Sequence, residues 1–184
     1  MKGKRMCKFW IFAFCLAVLL PAGIGAQQQG MRRAQFAGTW QLDVTASSLG
    51  SDHPSANYAF TKTFEPKQEG FVLKDHEVNV NFIGIAIPQR DSVTELIPDG
   101  KEHQVQGPGL MPGMPPAQIK LTAAWQGDNL VITEVSAGFG GSTTTRRRYY
   151  LSDDGNRLTE FMLSSSGFGD VDQKLIFTRA SEAR

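Results

Sequence analysis

The chain has 184 residues, with 19 basic and 18 acidic side chains, 41% apolar residues and two cysteines. That length suits one domain and is too short for a two-domain cofactor enzyme. A net charge of +1 leaves no electrostatic footprint for nucleic acid.

The charge is unevenly placed. Residues 1–26 hold four bases, no acid and both cysteines, Cys7 and Cys15, whereas the remainder carries 15 bases against 18 acids. Residues 1–8 are basic, Phe9 to Leu20 form an unbroken apolar run of twelve, and Pro21 leads into Ala22-Gly23-Ile24-Gly25-Ala26. This order matches a secretory signal peptide, with cleavage expected near Ala26. Twelve apolar residues fall short of the roughly 20 that span a bilayer, so membrane contact is expected only transiently, during export. Cys15 follows Phe12-Ala13-Phe14 and lacks the small-residue setting of a lipidation site. After cleavage no cysteine and no Asn-x-Ser/Thr sequon remains. That pattern points to a bacterial periplasmic or secreted protein, and it removes thiol catalysis and cysteine-ligated metals.

Residues 27–35 read as a flexible N-terminal segment. Strands are then expected at about 36–46, 58–67, 71–83, 90–98, 102–106, 118–126, 130–137, 142–151, 156–165 and 170–179, where Val, Ile, Thr, Phe and Tyr alternate with polar residues between turn signals. Residues 181–184 form a C-terminal tail. No stretch of eleven or more carries a helical repeat. The predicted fold is all-β: a single antiparallel up-and-down meander β-barrel of about 8–10 strands over 36–180. A two-layer sandwich is the structural competitor. A transmembrane barrel fits poorly, because only Trp40 and Trp125 lie beyond the first segment and an aromatic girdle needs more.

Two ends of this region carry a family resemblance. Phe36-Ala37-Gly38-Thr39-Trp40-Gln41-Leu42 resembles the opening strand of lipocalin and fatty-acid-binding barrels, with its Gly-x-Trp motif. Leu175-Ile176-Phe177-Thr178-Arg179 resembles their closing strand, where an arginine packs over that tryptophan. Parity agrees: Trp40 shares a face with Phe36, Leu42 and Val44, and Arg179 with Leu175 and Phe177. The chain resembles small secreted bacterial lipocalin-like proteins of unassigned function. The resemblance implies a lipocalin-like (calycin) barrel with Trp40 and Arg179 as a structural closing pair. Residues 47–57 hold Gly, Ser, Pro and Asp where fatty-acid-binding proteins place a helical lid, so the ligand type does not carry over.

In a meander, successive turns alternate between the two ends. Tight polar turns near 68–70, 99–100, 127–129 and 153–155 fall at one end, with Trp40 and Arg179. The connections 47–57, 84–89, 107–117, 138–141 and 167–169 fall at the other, and several are apolar: Ile85 and Ile87, Met111 and Met114, and the Gly-Phe-Gly tips at Phe139 and Phe168. These six are the candidate lip of a ligand portal, the alternative being plugs that fold back into the barrel or a subunit contact. On the strand 142–151, Arg147 and Tyr149 share the more core-like face, where Arg147 would pair a ligand carboxylate; the alternative is a solvated basic strand, because buried arginine is rare unless paired.

The functional expectation is therefore an exported barrel that binds a small hydrophobic ligand, with lipids and fatty-acid-like carboxylates as candidates. The alternatives are an envelope interaction module without a ligand, or a small barrel isomerase using Glu77, Glu134 or Glu160. No nucleophile elbow or Ser/His/Asp spacing supports an enzyme. No cofactor or metal is expected. His53, His76 and His103 are 23 and 27 residues apart, Met111 and Met114 offer only two thioethers, and Asp153-Asp154-Gly155-Asn156 reads as a hairpin rather than a calcium loop. His76 is expected to share an inward face with Val78 and Val80.

Overall fold

A computed structural model of the chain describes residues 23–49, 58–82, 85–107, 117–138, 141–167 and 169–180. Alternating apolar and polar side chains produce ten strands: β1 (Gly38–Leu42), β2 (Ala59–Pro66), β3 (Phe71–Phe82), β4 (Ile85–Leu96), β5 (Asp99–Gly107), β6 (Ala117–Gln126), β7 (Asn129–Gly138), β8 (Gly141–Leu151), β9 (Arg157–Ser166) and β10 (Gly169–Arg179). They form one continuous antiparallel sheet in the order β4-β3-β2-β1-β10-β9-β8-β7-β6-β5. Pairing of β1 with β10 joins the two ends of the meander, in the register Trp40–Arg179, Gln41–Thr178 and Leu42–Phe177. The edge strands β4 and β5 approach each other along a seam, so the wall is a nearly closed barrel rather than a sandwich. Its outer face carries Glu65, Lys74, Glu102 and Lys120.

Two elements depart from the expected pattern. Helix α1 (Gly23–Phe36) occupies the stretch read as flexible at 27–35. Its sequence contains three glycines and a weak apolar stripe, so its stability comes from where it docks rather than from propensity. Phe36 is buried, with its ring edge-on to Phe64 at 5.9 Å and to Trp125 at 5.5 Å. Arg32 pairs with Asp128 at 3.1 Å, and Arg33 donates to the carbonyls of Lys67 and Gln68 in the β2–β3 turn. The helix thus covers the tight-turn end.

The second departure is β4, which begins at Ile85 rather than at 90. Pro88 interrupts its hydrophobic pattern, and a proline cannot donate to a central ladder. Here β4 is an edge strand, and Pro88 stands across from Asn79, whose φ of 58° marks a local twist in β3. Pairing skips that step and resumes with Val80–Ile87.

Turn geometry separates the two ends of the barrel. The tight end holds the β2–β3 turn, closed by Lys67 N–H to the Gly70 carbonyl at 2.9 Å. An added Cβ at Gly70 would lie 1.8 Å from the Leu96 carbonyl oxygen, which accounts for glycine there. The β8–β9 hairpin turns through Gly155 at φ 68°, with the Asp154 carboxylate accepting from Asn156 N–H at 3.1 Å. The apolar core sits against this end: Phe36, Trp40, Phe64, Phe71, Leu96, Leu130, Leu158 and Phe177 are all buried. The strand ends flanking 50–57, 83–84, 108–116, 139–140 and 168 all point to the opposite rim.

Candidate ligand-binding site

Trp40 and Arg179 close the tight end. Trp40 is fully buried and donates its indole N–H to the Phe36 carbonyl at 2.9 Å. The Arg179 guanidinium lies 4.2 Å from the indole centroid. It also donates to the carbonyls of Ala37 at 2.7 Å, Gln35 at 2.9 Å and Gly155 at 3.3 Å, which ties α1, β1, β10 and the β8–β9 turn together. Val44 does not belong to this face. Strand β1 ends at Leu42 and Val44 is exposed.

Above the apolar floor, the barrel interior carries charge. On β2 the inward residues are Phe60, Lys62 and Phe64, and on β3 they are Phe71, Leu73, Asp75 and Glu77, in the register Lys62–Asp75 and Phe60–Glu77. Strands β7, β8 and β9 add Glu134, Arg147 with Tyr149, and Glu160. The Lys62 ammonium lies 2.9 Å from Asp75 Oδ1, 3.4 Å from Glu160 Oε2 and 3.4 Å from the Tyr149 hydroxyl. It also sits 4.7 Å from the Phe60 ring centroid. Arg147 donates to Glu134, and its Nε lies 3.3 Å from Glu160 Oε1. Glu160 therefore bridges the two cations. Rimward of this cluster, Arg90 Nη2 donates to both oxygens of Glu77 at 2.7 and 2.8 Å.

This geometry sets the protonation states. Burial alone would pull the Lys62 ammonium down, but Asp75, Glu160 and Tyr149 together hold it above the ordinary lysine range. Burial likewise opposes the Arg147 charge, and Glu134, Tyr149 and Glu160 hold it in place. The Tyr149 phenol is pushed well up by burial and then by Glu160. Tyr58 is raised by burial and Glu77. Each of these groups is protonated in the folded state at values above its unfolded one. Their contribution to stability is thus complete below about pH 10, the unfolded range for tyrosine and lysine, and declines as pH rises beyond it. An alkaline titration followed at the phenolate absorbance should show Tyr58 and Tyr149 ionising only as the near-ultraviolet dichroism collapses. Phenolate formation by either tyrosine in a still-native barrel contradicts the assignment.

The sequence-derived site residues fall into three groups. Arg147 and Tyr149 face the interior together. Arg147 is already engaged by two internal carboxylates, however, and not held free for a guest carboxylate as expected. Ile87 is a buried residue of β4 beside Val80 rather than an exposed rim side chain. Ile85 begins the same strand instead of lying in a loop, and its side chain lies outside the described residues. Met111, Met114, Phe139 and Phe168 also lie outside the described residues.

His76 is on the outer wall, half exposed, with Nδ1 2.6 Å from Asp91. The inward face of β3 holds Asp75 and Glu77 instead, while Val80 is buried as expected, because the alternation shifts at Asn79. Glu77, Glu134 and Glu160 all face inward. Lys62 and Asp75 were not legible as site residues, although Lys62 shares its parity with Phe60 and Phe64, which is the signal that finds it. Among the described residues no group of three or more His, Cys, Asp or Glu side chains is arranged to hold a metal ion.

No protein-family model and no curated protein sequence matches the chain. Solved structures do. The apo crystal structure of lipid binding protein 8 from Caenorhabditis elegans matches with a TM-score of 0.53 at 9% identity, over 80% of this chain and 96% of that one. A zebrafish ileal bile acid-binding protein complexed with cholic acid is similar at a TM-score of 0.49 and 12% identity, over 79% and 99%. The likeness to the nematode protein bears on fold alone. The chain is an all-β, ten-stranded antiparallel meander barrel of the calycin type, closed at one end by a short helix.

Proposed function

We propose that this chain is an exported barrel that binds a small amphipathic molecule, admitted through the rim opposite helix α1. The observation that carries the reading is the state of the interior. Asp75, Glu134 and Arg147 face inward from the middle of the wall, yet their side chains keep 19%, 21% and 23% of their exposure. Solvent therefore reaches a polar cluster that rests on an apolar floor. Such an interior suits a guest with an apolar body and one polar end. The nematode protein of the same fold is a lipid binding protein, which supports this reading. We assign Met111, Met114, Phe139 and Phe168, from their places in the sequence, to the lip of the entrance.

Export rests on the basic start, the twelve-residue apolar run and the small residues ending at Ala26. The reading predicts that protein recovered from outside the cytoplasm begins near Gln27. Native mass spectrometry of that material should show a co-purified small molecule that is lost on denaturation. The emptied barrel should then enhance the fluorescence of Nile red, a neutral solvatochromic dye, and Phe139→Ser/Phe168→Ser should weaken that response. A barrel recovered empty that also gives no response to the dye would falsify the reading.

A further inference from the structure

The charges lining the interior specify the guest's polar end more closely than the fold does. Two cations, Lys62 and Arg147, meet three carboxylates, Asp75, Glu134 and Glu160. Lys62 and Glu160 are sealed, with side chains 1% and 2% exposed, whereas Asp75, Glu134 and Arg147 are the members that solvent reaches. What a guest meets is thus two carboxylates and one guanidinium. That guanidinium already donates to Glu134 and lies against Glu160. Glu160 Oε2 is buried, lies 3.4 Å from the Lys62 ammonium and accepts no hydrogen bond among the described residues. The next inward pair toward the rim, Arg90 with Glu77, is internally neutral and leaves the balance unchanged.

An anionic head must therefore break the Arg147–Glu134 pair, or enter beside carboxylates that have no spare cation. A head that donates hydrogen bonds and carries positive charge adds a donor where acceptors are in excess. We infer that the interior site selects a cationic amphiphile, a protonated amine on an apolar chain, over the corresponding carboxylate. This rests on the barrel binding an amphiphile at all, and it names the class of head group.

The test is competition for Nile red by three ligands with the same twelve-carbon chain: dodecylamine, dodecanol and dodecanoic acid, at neutral pH and below their micellar concentrations. The amine is expected to displace the dye about tenfold more tightly than the acid, with the alcohol between them. Displacement by the acid at equal or tighter affinity overturns the inference and leaves ligand binding standing. Absence of any dye binding overturns both.

A second measurement uses Glu134→Gln, which removes one accessible carboxylate and frees part of Arg147. It should shrink the amine-to-acid ratio by about tenfold, with circular dichroism reporting whether the fold is kept. An unchanged ratio in a folded variant overturns the inference. The wild-type comparison holds whether or not that variant folds.

Discussion

Lys62→Met is expected to destabilise the barrel by about 3–5 kcal/mol, read as a fall in the urea midpoint with little change in slope. The reason lies in what the substitution leaves behind. Methionine restores much of the volume and keeps contact with the Phe60, Tyr149 and Phe177 rings that now surround the ammonium. It leaves Asp75 and Glu160 facing each other in a site where Lys62 and Glu160 are almost fully enclosed. A buried charge that loses its partner costs far more than the intact pair contributes.

The double variant Lys62→Met/Glu160→Gln separates the two effects. It removes the orphaned carboxylate while keeping an amide able to accept from Arg147. It should recover part of the loss, with a coupling on the order of 1–2 kcal/mol between the two positions. Additive losses would mean that Lys62 acts through packing alone.

The second large effect concerns the closed end. Trp40→Ala should cost about 3–5 kcal/mol, the range for deleting a buried aromatic side chain. The indole is fully buried and reaches α1 through its N–H to the Phe36 carbonyl, and Arg179 covers its face. Trp40→Phe keeps most of the packing and loses that hydrogen bond, so it should cost only about 1 kcal/mol beyond the lost volume. Arg179→Ala removes a stacking contact of roughly 1 kcal/mol together with donors to three carbonyls. Because those carbonyls belong to separate elements, hydrogen exchange in α1 and in the turn at 152–156 should rise in Arg179→Ala while the β6–β7 hairpin stays protected. Uniform loss of protection would instead mark Arg179 as part of the global core.

How much of this was legible from residues alone depends on the range of the interaction that decides each feature. The strands were legible because side chains alternate with period two wherever one face is buried. Their ends were legible because Asp-Gly and Gly-Asp turns impose their own backbone geometry. The closing pair was legible through the resemblance of the two end segments to lipocalin-type strands, with which the parity of Trp40 and Arg179 agrees.

Three features were not. Helix α1 has almost no helical pattern of its own, and it exists because Phe36, Arg32 and Arg33 find partners on β2, β6 and two turns. The first half of β4 was hidden by Pro88, which only an edge position across from Asn79 tolerates. The face of His76 was misread because the alternation set by the buried Val80 does not carry back through the twist at Asn79 to Asp75 and Glu77.

The charged interior is the deepest instance of this divide. Locally, Lys62, Asp75, Glu134, Arg147 and Glu160 are ordinary polar residues of alternating strands, each with a water-facing reading available. Only closure of the barrel brings β2, β3, β7, β8 and β9 around one space. There, loss of water turns five separated charges into a cluster whose members hold one another in place. By itself the sequence determined the class, the strands and the tight turns, because each follows from local periodicity or turn chemistry, and resemblance supplied the two residues that lock the ends. The tertiary structure decided what the barrel encloses, because the cost of burying a charge depends on partners that lie far away along the chain.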